Sequence, residues 1–253
     1  MSRPVSRPAS PVAATLAQTT TELRLTARRG ENVLVTIIIP AVVLLFFASL
    51  SVVPTGAGRP VDFLLPGSLA LAVIATSLVN LGIATAYERH YGVLKRLGGS
   101  PLTRGGLLAA KMLAVLVVEV AQLVLLVVIA ALALGWSVPP GAALGLLVAA
   151  LLLGTVTFAG LGLLMAGALR AEATLALANG LFLVALMLGG IVLPLDHLPD
   201  ALVAVARMLP AAALADTFRV ALGSGGDAAT PLAILITWGV GAVALTVRTF
   251  RWE

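Results

Sequence analysis

Tyr87-Glu88-Arg89-His90-Tyr91-Gly92-Val93-Leu94-Lys95-Arg96-Leu97-Gly98-Gly99-Ser100-Pro101-Leu102-Thr103-Arg104 interrupts a nearly unbroken hydrophobic chain. Together with Lys111, this stretch sets a dense cluster of positive charge between two apolar runs, each long enough to span a bilayer. Loops rich in Lys and Arg stay on the cytoplasmic side. Val93, Leu94 and Leu97 fall on one helical face, Gly98-Gly99 ends the helix, and Ser100-Pro101 prepares the next start. The spacing predicts a short amphipathic helix over about 87–99, a cytoplasmic docking surface on a polytopic protein.

Working outward, composition settles the class. Of 253 residues, 60% are hydrophobic and 11% charged, and the mean hydropathy is +1.10. A soluble domain carries about 25% charged residues. A chain this apolar is an integral membrane protein. The absence of cysteine excludes disulfides, thiolate metal sites and cysteine nucleophiles. A net charge of +5 would suggest nucleic acid in a soluble protein, but its placement beside apolar spans does not.

Hydropathy predicts six spans, at about 33–53, 63–86, 106–134, 141–168, 173–193 and 229–247. The first is too long for a signal-peptide core and reads as a mature span. An even number puts both termini on one side. With the N-terminus inside, the cytoplasmic segments hold Arg3, Arg7, Arg24, Arg28, Arg29, Arg89, Lys95, Arg96, Arg104, Lys111, Arg170, Arg248 and Arg251. The outer segments hold only Arg59, Arg207 and Arg219, which fixes the orientation. The chain thus divides into a polar tail with an interfacial helix, 1–32, and a six-span domain, 33–253.

Before the first span, Leu16, Thr20, Leu23 and Ala27 recur at helical spacing, with Gln18, Glu22, Arg24 and Arg28 opposite. This pattern suits an amphipathic helix in the headgroup plane, its arginines meeting anionic lipid; a plain basic flank is the alternative. The outer loop, about 194–227, carries two apolar stripes, Leu198/Leu202/Val205/Leu209 and Leu214/Phe218/Leu222, broken by Pro210. They predict two short outer helices before the last span, either dipping into the membrane or lying flat.

The elements Glu88-Arg89, Gly92, Leu94, Leu97, Ser100-Pro101-Leu102, Arg104, Leu107-Leu108 and Lys111 are similar to the cytoplasmic loop of type-2 ABC exporter permeases, the daunorubicin-resistance kind found in bacteria. Arg28-Arg29 before a span with Pro40 and Phe46-Phe47, and Leu209-Pro210 followed by Asp216, Phe218, Arg219 and Leu222, extend the resemblance to essentially the whole chain. Leu209-Pro210-Ala211-Ala212 departs from the commoner polar continuation.

The resemblance implies a plasma-membrane export subunit for amphipathic drugs, lipids or lipid-linked compounds, in the setting of multidrug efflux and antibiotic resistance. Two copies, or a copy and a paralogue, would form the pathway above two cytoplasmic ATPase subunits. Glu88, Arg89, Gly92, Leu94, Leu97, Ser100 and Pro101 would couple to the ATPase. The chain has no G-x-x-x-x-G-K-[S/T] loop, so ATP and Mg belong to the partner and this chain binds no cofactor of its own.

Glu119 lies about 12 Å along the helix from Lys111. An intramembrane acid is expensive and signals a function. A cation-substrate contact in the pathway, a proton-linked step and a structural hydrogen bond all stay open for it. Gln122, one turn on, joins it as a pathway candidate but also suits an interhelical hydrogen bond, as do Asn80 and Asn179. Gly154, Gly160, Gly162 and Gly167 predict close helix contacts in the fourth span. His90, and His197 near Asp196 and Asp200, read as solvated loop residues rather than metal ligands. An intramembrane protease would need its nucleophile and base within the spans, where the sequence offers none partnered. A secondary transporter not driven by ATP is the competing class, but it would predict inverted repeats, and none is evident.

Overall fold

The computed structural model describes residues 10–28, 30–50, 58–97, 99 and 102–249, with backbone alone for 30–35. Every regular element among them is helical. In chain order they are α1 (Pro11–Arg28), α2 (Gly30–Leu50), α3 (Pro60–Ile74), a π-helical turn (Ala75–Asn80), α4 (Leu81–His90), α5 (Val93–Leu97), α6 (Arg104–Leu134), α7 (Leu144–Ala168), α8 (Ala171–Leu188), α9 (Asp200–Met208), α10 (Pro210–Ala221) and α11 (Ala229–Thr249). A short 3-10 turn, Leu195–His197, precedes α9.

Five stretches are long and apolar enough to cross a membrane: Pro60–His90, Arg104–Leu134, Leu144–Ala168, Ala171–Leu188 and Ala229–Thr249. The 21-residue α2 carries a further apolar run, Thr36–Leu50. At 1.5 Å per residue it is about 31 Å long, the thickness of a hydrocarbon core. The chain is thus an all-α membrane protein with five to six candidate spans, against the six expected.

Local sequence explains the element ends. Pro60 opens α3, where a first-position proline loses no hydrogen bond. Thr103 caps α6 by accepting from the Gly106 amide, and Gly135 ends it with φ 61°. The fifth span was expected to reach 193. It stops at Leu188, because Gly189-Gly190 follows and Gly190 takes φ 60°.

Contacts order the helices. α7 and α11 run parallel: Thr157 Oγ1 donates to Leu235 O, and further along both helices Thr246 Oγ1 donates to Gly160 O. Glycines permit that approach, since a Cβ on Gly160 would meet the Ala242 methyl at 3.0 Å. α4 also ends beside the end of α7, through Arg89, so α4, α7 and α11 finish at one end of the bundle. That end carries the basic cluster.

The outer loop folds as expected into two helices, α9 and α10, with a turn of 79° between them. α10 inserts: Ala211, Leu214 and Phe218 are buried, and Leu214 fills the gap left by Gly154 of α7. The segment leaves and returns at the end opposite the basic cluster. Arg219 bonds Gly190 O just past α8, and Ala221 O accepts from Ala143 N at the start of α7. The pair is therefore a bent helical hairpin that enters and leaves the bundle at one end. Trp238 of α11 steadies it by donating Nε1 to Met208 O at 3.0 Å.

Candidate functional site: the basic elbow, the polar layer and the groove

The expected helix over about 87–99 is broken in two. α4 continues through Glu88 and Arg89 to His90; Gly92 then takes φ 70°, and α5 is only five residues long. A left-handed glycine ends a helix because its amide can bond back, here to Arg89 O at 3.0 Å. The result is an elbow. Gly98, Ser100 and Pro101 lie outside the described residues.

The elbow's faces differ from the sequence expectation. Leu94 is fully buried, held by Leu102 and Leu107 with Ala14 of α1 and Leu97 beside it. Val93 of the expected face (39% exposed) does turn outward, joined by Tyr91 (69% exposed), next to exposed Lys95 and Arg96. A five-residue helix reached through a left-handed turn cannot keep the face that a continuous helix would present.

Glu88 and Arg89, both expected at the docking surface, turn into the protein toward different helices. Lys111 of α6, 1% exposed, lies 2.7 Å from Glu88 Oε2 and 3.0 Å from Glu22 Oε1 of α1. Gln18 Nε2 supports Glu22 from one turn away, at 2.8 Å. The Gln18/Glu22 face of α1, expected to meet water, is therefore turned onto α6, while Leu16, Arg24 and Leu25 are exposed. Arg89 donates to Gly167 O and Leu169 O at the end of α7. A cation there complements the orphan carbonyls and negative end of that helix.

A polar layer crosses the middle of the bundle. Glu119 is fully buried, and its oxygens accept from Ser77 Oγ and Thr155 Oγ1, each at 2.5 Å. Gln122 accepts from Thr76 Oγ1 at 2.9 Å and donates to Thr36 O at 3.4 Å. Asn80 donates to Thr36 Oγ1 at 3.0 Å. Thr76, Ser77 and Asn80 all belong to the π-helical turn; such turns cluster at functional sites. The turn is clasped by α7, where a Cβ on Gly162 would come within 2.9 Å of Ser77 O and Leu78 O. Gly154, Gly160 and Gly162 of the fourth span thus make the close contacts expected of them.

Beside this layer is a groove of about 570 Å³ between α2, α4 and α8. Thr36, Ile39, Asn80, Ile83, Leu175, Asn179 and Phe182 line it, and it runs to Tyr87, Tyr91 and Val93 at the elbow. Glu119 and Gln122 do not line it. Asn179 was expected to bond across helices; instead it donates to Leu175 O in its own helix and is exposed. The sequence reading missed the groove. Its signal was Asn179-Gly180, a polar and a small residue in the middle of an otherwise apolar span.

A multi-helix membrane bundle with a basic elbow and a lateral groove suits a transport permease. The family model described as ABC-2 type transporter matches residues 14–222, and the chain belongs to that family. It is accordingly a multi-pass permease component of an ABC transporter, a component that works with an ABC ATPase. No curated protein matches the chain.

Proposed function

We propose that this chain is the permease half of an ATP-driven exporter in a bacterial plasma membrane, with its basic end in the cytoplasm. The observation that carries the reading is the elbow. Tyr91 and Val93 stand outward beside Lys95 and Arg96, while Leu94, Glu88 and Arg89 anchor the same segment to α1, α6 and α7. An exposed apolar pair with a basic rim suits a groove on a cytoplasmic ATPase, and a rigid anchor suits force transmission. Two copies, or a copy and a paralogue, facing each other across α2 and α8 would close their grooves into one pathway. The mixture of aliphatic, aromatic and amide side chains along the groove favours amphipathic drugs, lipids or lipid-linked compounds, with drug efflux and antibiotic resistance as one setting.

The test is Tyr91→Asp combined with Val93→Asp in the permease–ATPase complex. The protein should still insert, because both side chains are exposed. Stimulation of ATP hydrolysis by the permease should fall at least about ten-fold, equivalent to ~1.4 kcal/mol of docking energy. Unchanged stimulation and unchanged co-purification of the ATPase would overturn the docking role.

A further inference from the structure

α1 and the elbow are distant in sequence, separated by α2, α3 and most of α4, yet the structure joins them by packing Ala14 into the Leu94 cluster and by one shared ammonium group. Lys111 Nζ is shared between Glu22 of α1 and Glu88 of α4. Glu88 sits within one turn of Gly92, where α4 bends into α5. The neighbouring Arg89 projects about 100° away around the helix and holds the end of α7. α1 also lies tight on α6: a Cβ on Gly106 would stand 3.1 Å from Thr15 Oγ1. Two carboxylates share one lysine, so removing either one leaves the other pair intact but deletes the ionic link between α1 and α4.

We propose that Lys111 is a positioning residue that makes α1 and the α4–α5 elbow move as a single body. Displacement of the elbow is then carried into α1 through Lys111 and to the α7–α8 boundary through Arg89. This rests on the elbow being the ATPase contact.

The chain has no native cysteine, so spin labels can be placed cleanly. Leu16→Cys on α1 and Arg96→Cys on α5 are both exposed positions. Labelled permease, diluted into unlabelled copies and assembled with its ATPase in vesicles, reports the distance within one subunit. With the triad intact, the distance distribution should be narrow and unmoved by ATP with vanadate. In Glu22→Gln, which keeps the Lys111–Glu88 pair, the distribution should broaden and shift once ATP and vanadate are added. Glu22→Asp, with the charge kept, should restore the narrow distribution; it also serves as the second variant if the glutamine protein is poorly folded.

A nucleotide-dependent shift in the intact protein would overturn the proposal, as would a narrow, unmoved distribution in Glu22→Gln. A purely structural role would broaden the distribution equally with and without nucleotide, and would overturn it too. Failure of the elbow reading is separately visible. If Tyr91→Asp with Val93→Asp leaves ATPase stimulation untouched, the docking contact lies elsewhere, whatever the spin labels report.

Discussion

The basic end and the middle of the bundle hold their buried acids in opposite ways. At the basic end, Glu22 and Glu88 are paired with a lysine, and both keep some contact with solvent (side chains 13% and 11% exposed). In the middle, Glu119 is shut away with no exposure, and its partners are the neutral hydroxyls of Ser77 and Thr155. Depth accounts for the difference. Near the headgroups, charged groups remain partly hydrated, so an ion pair survives there. In the hydrocarbon core, an acid is tolerated when protein dipoles replace its water. The ionic site joins helices through one shared charge. The neutral site joins them through a distributed set of hydrogen bonds, so no single residue dominates it.

Breaking the ionic side should have the larger effect. Lys111→Met leaves Glu22 and Glu88 together around an apolar side chain. Removing one partner of a buried ion pair costs about 3–5 kcal/mol. The expected outcome is a sharp fall in folded yield and thermal midpoint, measured by fluorescence-detected size exclusion. A stable Lys111→Met protein would mean that water reaches the two carboxylates and that the triad is not a buried unit.

The neutral side should yield less. Gly162→Ala pushes a methyl against Ser77 O and Leu78 O. Overpacking of this kind costs about 1–3 kcal/mol, and the damage should appear as a lowered midpoint with the basic end still assembled. Glu119→Leu strips Ser77 of its acceptor, for about 1–3 kcal/mol, while Thr155 keeps Leu151 O. Glu119→Gln should be close to neutral. Thr155 Oγ1 already bonds Leu151 O at 2.7 Å, so an amide N–H beside it is a suitable partner, while the amide oxygen still accepts from Ser77. If glutamine is as damaging as leucine, the charge itself matters and the contrast between the two regions fails.

This contrast also explains what could be read in advance. The all-α membrane class and the paired outer helices follow from hydropathy and helical spacing, which act along the chain. Partner choice does not. Lys111 and Glu119 both look like flaws in one span, and nothing in their spacing says that Lys111 turns to Glu22, 89 positions earlier, while Glu119 finds Ser77 and Thr155. Long-range pairing depends on how α1, α4 and α7 pack on α6. The elbow differs for a local reason: the expected helix over about 87–99 runs through Gly92, whose left-handed conformation redirects α5 and buries Leu94. The groove was hidden because its walls come from α2, α4 and α8 together, and Asn179-Gly180 marks only one of them.

A third acid, at the far end, sharpens the series and should show the smallest effect. Asp227 stands before α11 and is fully exposed; its oxygens accept from Ala229 N at 2.9 Å and Thr230 N at 3.1 Å. Those backbone amides, with the Thr230 hydroxyl, hold its carboxyl below the usual carboxylate range. The lowered value means that the unfolded chain takes up the proton first. The capping contribution is thus fully present above the usual value of about 3.9 and is lost as pH falls through the lowered one. Amide exchange in nanodiscs checks this. Asp227→Ala should speed exchange at Ala229 and Thr230 near neutral pH and leave Leu235 and the residues beyond unchanged. In the unaltered protein, the same local opening, beyond the ordinary pH dependence of exchange, should appear only in strongly acidic solution. Accelerated exchange along all of α11 would mean that Asp227 holds the helix in the bundle rather than merely starting it.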